Sequence, residues 1–179
     1  MDEDKQLYKK FLLGNTQAFD ELVKKYQKPL TYFTYQYTKN QESAEDIVQD
    51  VFIYLLCNKE KYDFNYSLKA YLYLIARTRS FSFIKKEKRR PEIEKTYYDN
   101  SFWEELEEMI DRKLEKEQMI EEIARLKEEY RTAIFLIDIE GLSYIETAQI
   151  MRKTLGQLKV LIHRARKKLK TNIERRVIS

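Results

Sequence analysis

The sequence predicts an all-α protein made of two small helical domains joined by an acidic linker, and three observations lead to this prediction. The 179 residues include only three glycines and two prolines, so few of the residues that tight turns require are present. Charged residues make up 36% of the chain, and good helix formers dominate. Apolar residues recur at intervals of three and four through the charged stretches, which is the period of a helix. A chain of this length suits two small domains, and we place them at residues 1–90 and 114–179, with the linker at 91–113.

The first domain is predicted to be a bundle of helices. Its first apolar stripe has helical spacing and comprises Phe11, Phe19, Leu22, Val23 and Tyr26. A new helix is expected to start at Pro29, because proline fits the first turn of a helix. We expect a third helix to begin at Ser43, whose hydroxyl can cap it, and to run to about Lys59.

Residues 61–67, KYDFNYS, lose the helical period and contain turn formers, so they predict a short loop that displays aromatic side chains. A fourth helix should begin at Ser67 and end in a basic run before Pro91. Its inward side is expected to consist of Leu68, Tyr71, Leu72, Ile75 and Ala76.

The second domain is predicted to contain four helices. We place them at 115–127, 129–139, 143–151 and 155–172. Gly141 should stop the second helix, and Ser143 and Thr154 should cap the third and fourth. The last two helices then form a helix-turn-helix.

The net charge of +4 conceals a strong separation of charge along the chain. From residue 152 to residue 176 there are ten lysines and arginines and a single acid, Glu174. A helix with this charge fits the major groove of DNA, where its cations can contact phosphates. Nucleic acid is therefore the expected partner of the second domain, with a solvated basic helix as the alternative.

The sequence disfavours several classes of protein. The only cysteine, Cys57, rules out an internal disulfide and is expected to pack in an apolar helix. The chain starts without the apolar core of a signal peptide, and no apolar run reaches the roughly eighteen residues of a membrane span. We therefore expect a cytoplasmic protein that does not insert into membranes.

Nothing in the sequence has the pattern of a catalytic site. The one histidine, His163, lies among cations where it is poorly placed to act as a base. Neither a glycine-rich phosphate loop nor a Cys/His metal spacing is present. We expect no enzyme, and no catalytic residue, cofactor or metal site.

The predicted third helix has an acidic edge. Asp46, Gln49 and Asp50 share that edge, while the apolar residues of the same helix face inward. A strip of this kind fits a basic protein partner. Taken alone, it is equally consistent with an ordinary exposed helix edge.

Aromatic and basic side chains are interleaved between residues 61 and 90. This arrangement binds unpaired bases by stacking and phosphates by charge. Core packing is the alternative, most of all for Tyr71 and Tyr73. The candidates in this segment are Tyr62, Phe64, Tyr66, Lys69, Lys85, Lys86, Lys88, Arg89 and Arg90.

The chain has an acidic helix, then an aromatic and basic segment, and then a helix-turn-helix. This order resembles that of the extracytoplasmic-function (ECF) sigma factors of bacterial RNA polymerase, a branch of the sigma-70 family, and the resemblance covers almost the whole chain. Residues 44–56, AEDIVQDVFIYLL, look like the segment that binds the polymerase clamp. Residues 67–77, SLKAYLYLIAR, resemble the helix that helps to melt and read the minus-ten element. Residues 141–169 resemble the reader of the minus-thirty-five element.

The resemblance implies a factor that binds core RNA polymerase and directs it to promoters, without enzymatic activity of its own. It implies that Asp46, Gln49 and Asp50 meet the polymerase clamp and that the candidates between residues 61 and 90 meet the minus-ten strand. The residues that it implies for the minus-thirty-five element are Thr154, Gln157, Lys159, Val160, His163, Arg164, Arg166 and Lys167. Many relatives are held inactive by an anti-sigma protein, and the sequence leaves open whether one binds this chain.

Two other functions stay open at this point. A stand-alone helix-turn-helix regulator would bind duplex DNA without polymerase, but it leaves the amino-terminal half unexplained. The second alternative is a regulatory protein that keeps the fold but does not bind promoters. It stays open because the chain departs from the family pattern. Thr78 and Ser82 replace the usual Asn and Asp, and Leu161 replaces a frequent Arg. Arg152 occupies a turn position often given to glycine, so the promoter preference cannot be copied from other members.

Overall fold

A computed structural model describes residues 2–88 and 116–178 of the chain. Every regular element within those ranges is helical, which confirms the all-α prediction. The chain divides into two compact units, Met1–Tyr98 and Asp99–Ser179. The predicted acidic linker, the residues at which it would begin and end, and the stop at Pro91 lie outside the described residues.

Within residues 2–88, the first unit contains four α-helices and a short 3-10 turn. The helices are α1 (Glu3–Leu12), α2 (Thr16–Thr38), α3 (Gln41–Cys57) and α4 (Leu68–Glu87), with the 3-10 turn at Lys59–Lys61. Helix α2 packs on α1, α3 and α4, so it forms the centre of the bundle.

The predicted start of a new helix at Pro29 is wrong, because α2 runs through this proline without interruption. Proline inside a helix removes a hydrogen bond and costs about 3 kcal/mol. The buried side of α2 continues across it, with Tyr26 before it and Leu30 and Phe33 after it. Burial of a large apolar side chain contributes about 1.5–3 kcal/mol, so a few of these residues outweigh the proline.

Helix α3 begins earlier than predicted. Asn40, not Ser43, caps it, and the Asn40 side-chain oxygen accepts a hydrogen bond from the backbone N–H of Ser43 at 2.8 Å. The helix ends at Cys57 rather than near Lys59. Cys57 is exposed, so the expectation that it packs in the core is also wrong.

Helix α4 begins where it was predicted to begin. The Ser67 hydroxyl caps it by accepting a hydrogen bond from the N–H of Ala70 at 3.1 Å. Its fully buried side comprises Leu68, Ala70, Leu72, Tyr73, Ala76 and Ser80. Tyr71 and Ile75, which were expected to face inward, are only half-buried at the margin of this side. Tyr73 is therefore a core residue, as the packing alternative proposed.

The described part of the second unit, residues 116–178, contains four further α-helices. They are α5 (Lys116–Ala124), α6 (Glu128–Ile134), α7 (Tyr144–Met151) and α8 (Leu155–Ile178), with a π-helical turn at Phe135–Ile139 after α6. The predicted helix at 129–139 is thus an α-helix that widens into a π turn and ends before Gly141, whose φ is +69°. Phe135, Leu136, Leu158, Ile162 and Ala165 form part of the core.

Both predicted caps of the helix-turn-helix are present. Ser143 and Glu146 form a reciprocal capping box at the start of α7. Thr154 and Gln157 do the same for α8, at 3.2 Å from the Gln157 N–H to the threonine hydroxyl and 2.9 Å from the Thr154 N–H to the glutamine oxygen. Arg152 ends α7 with a φ of +52°, so the turn does require the left-handed conformation.

Candidate nucleic-acid and polymerase interfaces

Helix α8 presents a polar, cationic side opposite its buried side. Leu158, Ile162 and Ala165 are buried, which fixes the orientation of the helix. The exposed candidates are Gln157, Lys159, Val160, His163, Arg164 and Lys167. Spacings of three and four residues put Gln157, Val160 and Arg164 on one line along the helix. A helix in a major groove presents its side chains in this way.

Arg166 is also exposed, but unlike the other candidates it is engaged by side chains of its own unit. Its Nη2 lies 2.5 Å from Oδ1 of Asp138 in the π turn, and its Nε donates to Oδ2 of the same carboxylate at 3.1 Å. Its Nη1 also donates to the hydroxyl of Tyr144 at 3.2 Å. The hydrogen bonds to Asp138 raise the pKa of Arg166 well above its usual range. Arg166 therefore ties α8 to the π turn and to α7, and three of its five N–H donors are used within the protein.

Thr154 and Gln157 are exposed, but part of their hydrogen-bonding capacity is used by the cap of α8. The Gln157 oxygen accepts from Thr154, which leaves the amide NH2 of Gln157 as the group that can donate outward. The cap therefore fixes the direction of this side chain at the first turn of α8.

An open cleft of about 560 Å³ lies beside the exposed side of α8. Residues of α8 and of the start of α6 line it: Lys127, Glu129, Tyr130, Gly156, Gln157, Val160, Leu161 and Arg164. An ion pair of 2.7 Å between Lys153 and Glu129 lies in the same region of the unit. Sequence reasoning missed Tyr130, because only the packing of α6 against α8 brings it beside the exposed side of α8.

The acidic edge of α3 is exposed, as its sequence pattern indicated. Asp46, Gln49 and Asp50 face solvent, and Nη1 of Arg79 lies 3.3 Å from a carboxylate oxygen of Asp50. The same side continues into apolar residues, since Ile53 is 53% exposed and Leu56 is 38% exposed. Sequence reasoning overlooked these two, although they continue the spacing of three and four residues from Asp46.

The loop before α4 does not display all of its aromatic side chains. Tyr62 is buried and Phe64 is half-buried, whereas Tyr66 is 52% exposed. The Tyr62 ring packs 4.8 Å from Phe64 and 5.4 Å from Tyr71, measured between ring centroids. Burial, together with the nearby carboxylates of Asp2 and Asp4, raises the pKa of Tyr62 above its usual value. The prediction that Tyr62 stacks on a base is therefore wrong for this conformation, and Tyr66 is the ring that solvent reaches.

The predicted basic run continues along the end of α4. Lys85, Lys86 and Lys88 are exposed, whereas Lys69 in the first turn of α4 is half-buried. The other two candidates of this run, Arg89 and Arg90, lie outside the described residues.

The exposed side of α4 contains Thr78 and Ser82, two of the positions that depart from the family pattern. The Thr78 hydroxyl donates to the carbonyl oxygen of Leu74 at 2.8 Å, and the Ser82 hydroxyl donates to that of Thr78 at 3.0 Å. Since each hydroxyl proton is used within the helix, these residues present only oxygen lone pairs outward. Between them, Phe81 is partly exposed, and the guanidinium of Arg77 lies 4.3 Å from its ring centroid.

The described residues contain neither a metal-binding cluster nor a membrane-spanning helix. In residues 2–88 and 116–178, no group of three or more His, Cys, Asp or Glu side chains is arranged to hold a metal ion. Over the same ranges, no helix has the length and apolar character needed to cross a membrane.

Comparison with known proteins gives consistent matches to both units. The family model of sigma-70 region 2 matches residues 22–90, and that of sigma-70 region 4 matches residues 116–169. The ECF RNA polymerase sigma factor SigW of Bacillus subtilis is 30% identical over 94% of this chain and 96% of its own length. The RNA polymerase sigma-H factor of Pseudomonas aeruginosa is 28% identical over 92% of this chain and 91% of its own.

Two solved structures have a similar fold. The sigma factor RpoE of Bartonella quintana, crystallised with the anti-sigma factor NepR, superposes with a TM-score of 0.64 at 23% identity, covering 87% of this chain and 96% of that one. CnrH, in complex with the cytosolic domain of CnrY, also has a TM-score of 0.64, at 21% identity over 97% of this chain and 98% of that one.

Proposed function

The chain belongs to the extracytoplasmic-function sigma factors and directs bacterial RNA polymerase to specific promoters, and we propose how its residues divide this task. The observation that carries the assignment is the presence of region 2 and region 4 matches, in that order, in one chain. A stand-alone helix-turn-helix regulator is not favoured, because it would have no use for a region 2 unit.

We propose that α8 reads the minus-thirty-five element in the major groove. One line of this helix carries a hydrogen-bond donor on Gln157, an apolar side chain on Val160 and a guanidinium on Arg164. Groups of these kinds distinguish the edges of bases in the groove. Lys159, His163 and Lys167 flank that line and are suited to the phosphates. Lys127 and Tyr130 border the same cleft, and we add them as candidate backbone contacts from outside the recognition helix.

The exposed side of α3 is our proposed contact with core polymerase. The carboxylates of Asp46 and Asp50 favour association with a basic surface. Ile53 and Leu56 add apolar area next to them, and burial of apolar area is the dominant favourable contribution to most protein association. The proposal thus combines a charged part that guides association and an apolar part that holds the complex.

We assign contact with the melted minus-ten strand to Tyr66 and the exposed side of α4. Stacking of a base on an aromatic ring contributes about 1–3 kcal/mol in single-strand binders. Thr78 and Ser82 offer lone pairs on the adjacent turns, so they favour a base edge that donates a hydrogen bond. Lys85, Lys86 and Lys88 then follow the backbone of that strand.

The remaining parts of the proposal concern the chain as a whole. We propose that residues 1–90 and 114–179 act as separate domains joined by the segment 91–113. We also propose that the chain works in the cytoplasm with the polymerase and that it catalyses no reaction itself. An anti-sigma partner stays a prediction for this chain.

Run-off transcription tests the assignment directly. Purified chain and core polymerase are combined on a promoter identified by sequencing the transcripts that overexpression induces. Specific initiation that depends on the chain is the expected result, and core polymerase alone is the control. Specific duplex binding without initiation would instead favour the stand-alone regulator, and polymerase binding without initiation would favour a regulatory protein.

A further inference from the structure

Helix α1 has no role assigned by the family comparison, because the region 2 match begins at residue 22, after α1 has ended. Its position in the fold suggests one. Lys5 and Tyr8 lie three residues apart on α1, so they share one side of the helix. Both side chains reach the backbone of residues 59–67, the segment that comprises the 3-10 turn and the aromatic loop before α4.

Two hydrogen bonds from α1 hold this loop at separate points. Nζ of Lys5 donates to the carbonyl oxygen of Phe64 at 2.7 Å. The hydroxyl of Tyr8 donates to the carbonyl oxygen of Lys59 at 3.1 Å. The two carbonyls lie on either side of Tyr62 in the chain, so α1 fixes the backbone before and after that residue.

Ring packing adds to the same contact. The ring of Tyr8 meets that of Tyr62 edge-on, at 5.2 Å between centroids, and lies 6.0 Å from that of Phe64. The ammonium group of Lys9 lies 5.4 Å from the Phe64 ring centroid. Burial, with a smaller effect of Glu60, raises the pKa of Tyr8 to about 12, so its hydroxyl stays a donor at neutral pH.

Tyr62 transmits this contact to the exposed ring. Its hydroxyl donates to the carbonyl oxygen of Tyr66 at 2.7 Å. Otherwise, the turn that leads to Tyr66 is held by local hydrogen bonds to Asp63, from the N–H of Tyr66 at 3.1 Å and from that of Asn65 at 2.9 Å. The backbone of Tyr66 is therefore linked to α1 through the buried side chain of Tyr62, in addition to the bond from Lys5 to Phe64 two residues earlier.

Helix α1 is itself firmly attached to α2. The buried carboxylate of Asp4 accepts hydrogen bonds from Nζ of Lys25, at 2.6 Å, and from the hydroxyl of Tyr26. The rings of Phe11 and Phe19 pack 4.8 Å apart. The helix can therefore hold the loop against the centre of the bundle.

We propose that α1 positions the loop for promoter melting, with Lys5 and Tyr8 as positioning residues that set Tyr66 in place before DNA arrives. This inference rests on the role proposed above for Tyr66. A ring whose backbone is already held in place loses less conformational freedom when a base stacks on it, so capture of the unpaired base is more favourable. Loss of the contact should slow melting of a duplex promoter and have little effect on a promoter that is already open.

The test uses the full chain with the double substitution Lys5→Met and Tyr8→Phe, which removes both donors and keeps most of the packing volume. Lys10→Met, at an exposed position of the same helix, is the matched control. Lys5→Met alone serves if the double variant misfolds, because Lys5 is only half-buried. Tyr66→Ala reports on the role of the loop itself.

Two measurements distinguish positioning from a purely structural role. Hydrogen exchange of the peptide spanning residues 59–67 should be about two- to tenfold faster for each hydrogen bond lost, with no change in Lys10→Met. Permanganate reactivity of unpaired thymines, with core polymerase present, should show slower melting of a duplex promoter by a similar factor. On a template mismatched across the minus-ten region, the variant should approach wild type.

Each other outcome overturns the inference. Wild-type exchange or wild-type melting by the Lys5/Tyr8 variant, together with defective melting by Tyr66→Ala, rejects the role of α1 and leaves the proposed function intact. Normal melting by Tyr66→Ala rejects the stacking role and this inference together, while run-off transcription still reports on the sigma activity. Equal loss on both templates means misfolding or lost polymerase contact, and it also rejects positioning.

Discussion

At the scale of single residues, the packing separates side chains that look alike in the sequence. Arg164 and Arg166 are both arginines of a basic helix, yet Arg164 faces solvent beside the cleft and Arg166 is bound to Asp138. Tyr62 and Tyr66 lie in one short loop, yet the first is buried and the second is half exposed. In each pair, a contact within the protein determines which member remains available to a partner.

We predict that alanine at Arg164 affects DNA binding, whereas alanine at Arg166 affects stability. Arg164→Ala should reduce the slope of log affinity against log salt for promoter binding by the holoenzyme, by about one unit if one phosphate contact is lost. Arg166→Ala should leave that slope unchanged and lower the free energy of unfolding by about 1–2 kcal/mol, because charge-assisted hydrogen bonds at a partly exposed site are lost. Salt titrations and urea unfolding of both variants provide the measurement, and the reverse pattern would contradict the structural reading.

A second residue-scale prediction concerns the acidic edge of α3. Asp46→Lys should slow association with core polymerase and alter its salt dependence, because an exposed carboxylate acts mainly by attraction of a basic partner. Asp20→Lys, at an exposed acid of α2 in the same unit, is the control for the change in net charge. Binding kinetics are compared with far-ultraviolet circular dichroism, and equal association rates for a folded Asp46→Lys would rule out this contact.

At the scale of elements, two links between helices of the second unit require a backbone conformation with positive φ. The turn after the π segment contains Gly141 at a φ of +69°, and the turn of the helix-turn-helix contains Arg152 at +52°. Glycine adopts such angles without strain, whereas a side chain makes them less favourable. The first link therefore has glycine, the residue that suits its conformation, whereas the second has an arginine under strain.

Exchange of residue type at these two turns should have effects of opposite sign. Arg152→Gly should raise the free energy of unfolding by a few tenths to about 1 kcal/mol, because the strain at positive φ disappears. Gly141→Ala should lower it by about 1 kcal/mol, and the effect is conformational, since nothing lies within 4 Å of the added Cβ. Urea unfolding of the full chain measures both, and a destabilising Arg152→Gly would show that the arginine side chain contributes more than the strain removes.

At the scale of the whole molecule, the surfaces that we propose for different partners belong to different units. The acidic and apolar side of α3 belongs to the first unit, and the cationic side of α8 belongs to the second. The only cysteine of the chain, Cys57, is exposed four residues after Ile53 on α3, beside the proposed polymerase contact. The thiol of Cys57 is thus a natural probe of assembly.

We predict that core polymerase protects Cys57 from a maleimide reagent, whereas duplex promoter DNA alone does not. The expected decrease in the labelling rate reflects burial of the α3 surface when the complex forms, and Asp46→Lys should weaken it at a fixed polymerase concentration. Labelling rates are read by intact-protein mass spectrometry. Unchanged labelling in a complex that initiates transcription would move the polymerase contact away from this end of α3.

The sequence alone determined what depends on local spacing and local charge. Helical periodicity was enough for the all-α class, Ser67 for the start of α4, Ser143 and Thr154 for two helix caps, and the cluster of cations for the basic character of α8. These features follow from residues a few positions apart. Only the tertiary structure decided the continuity of α2 through Pro29, the exposure of Cys57 and the burial of Tyr62. The pairing of Arg166 with Asp138 joins residues 28 positions apart, and no local pattern records a partner that only packing brings within reach.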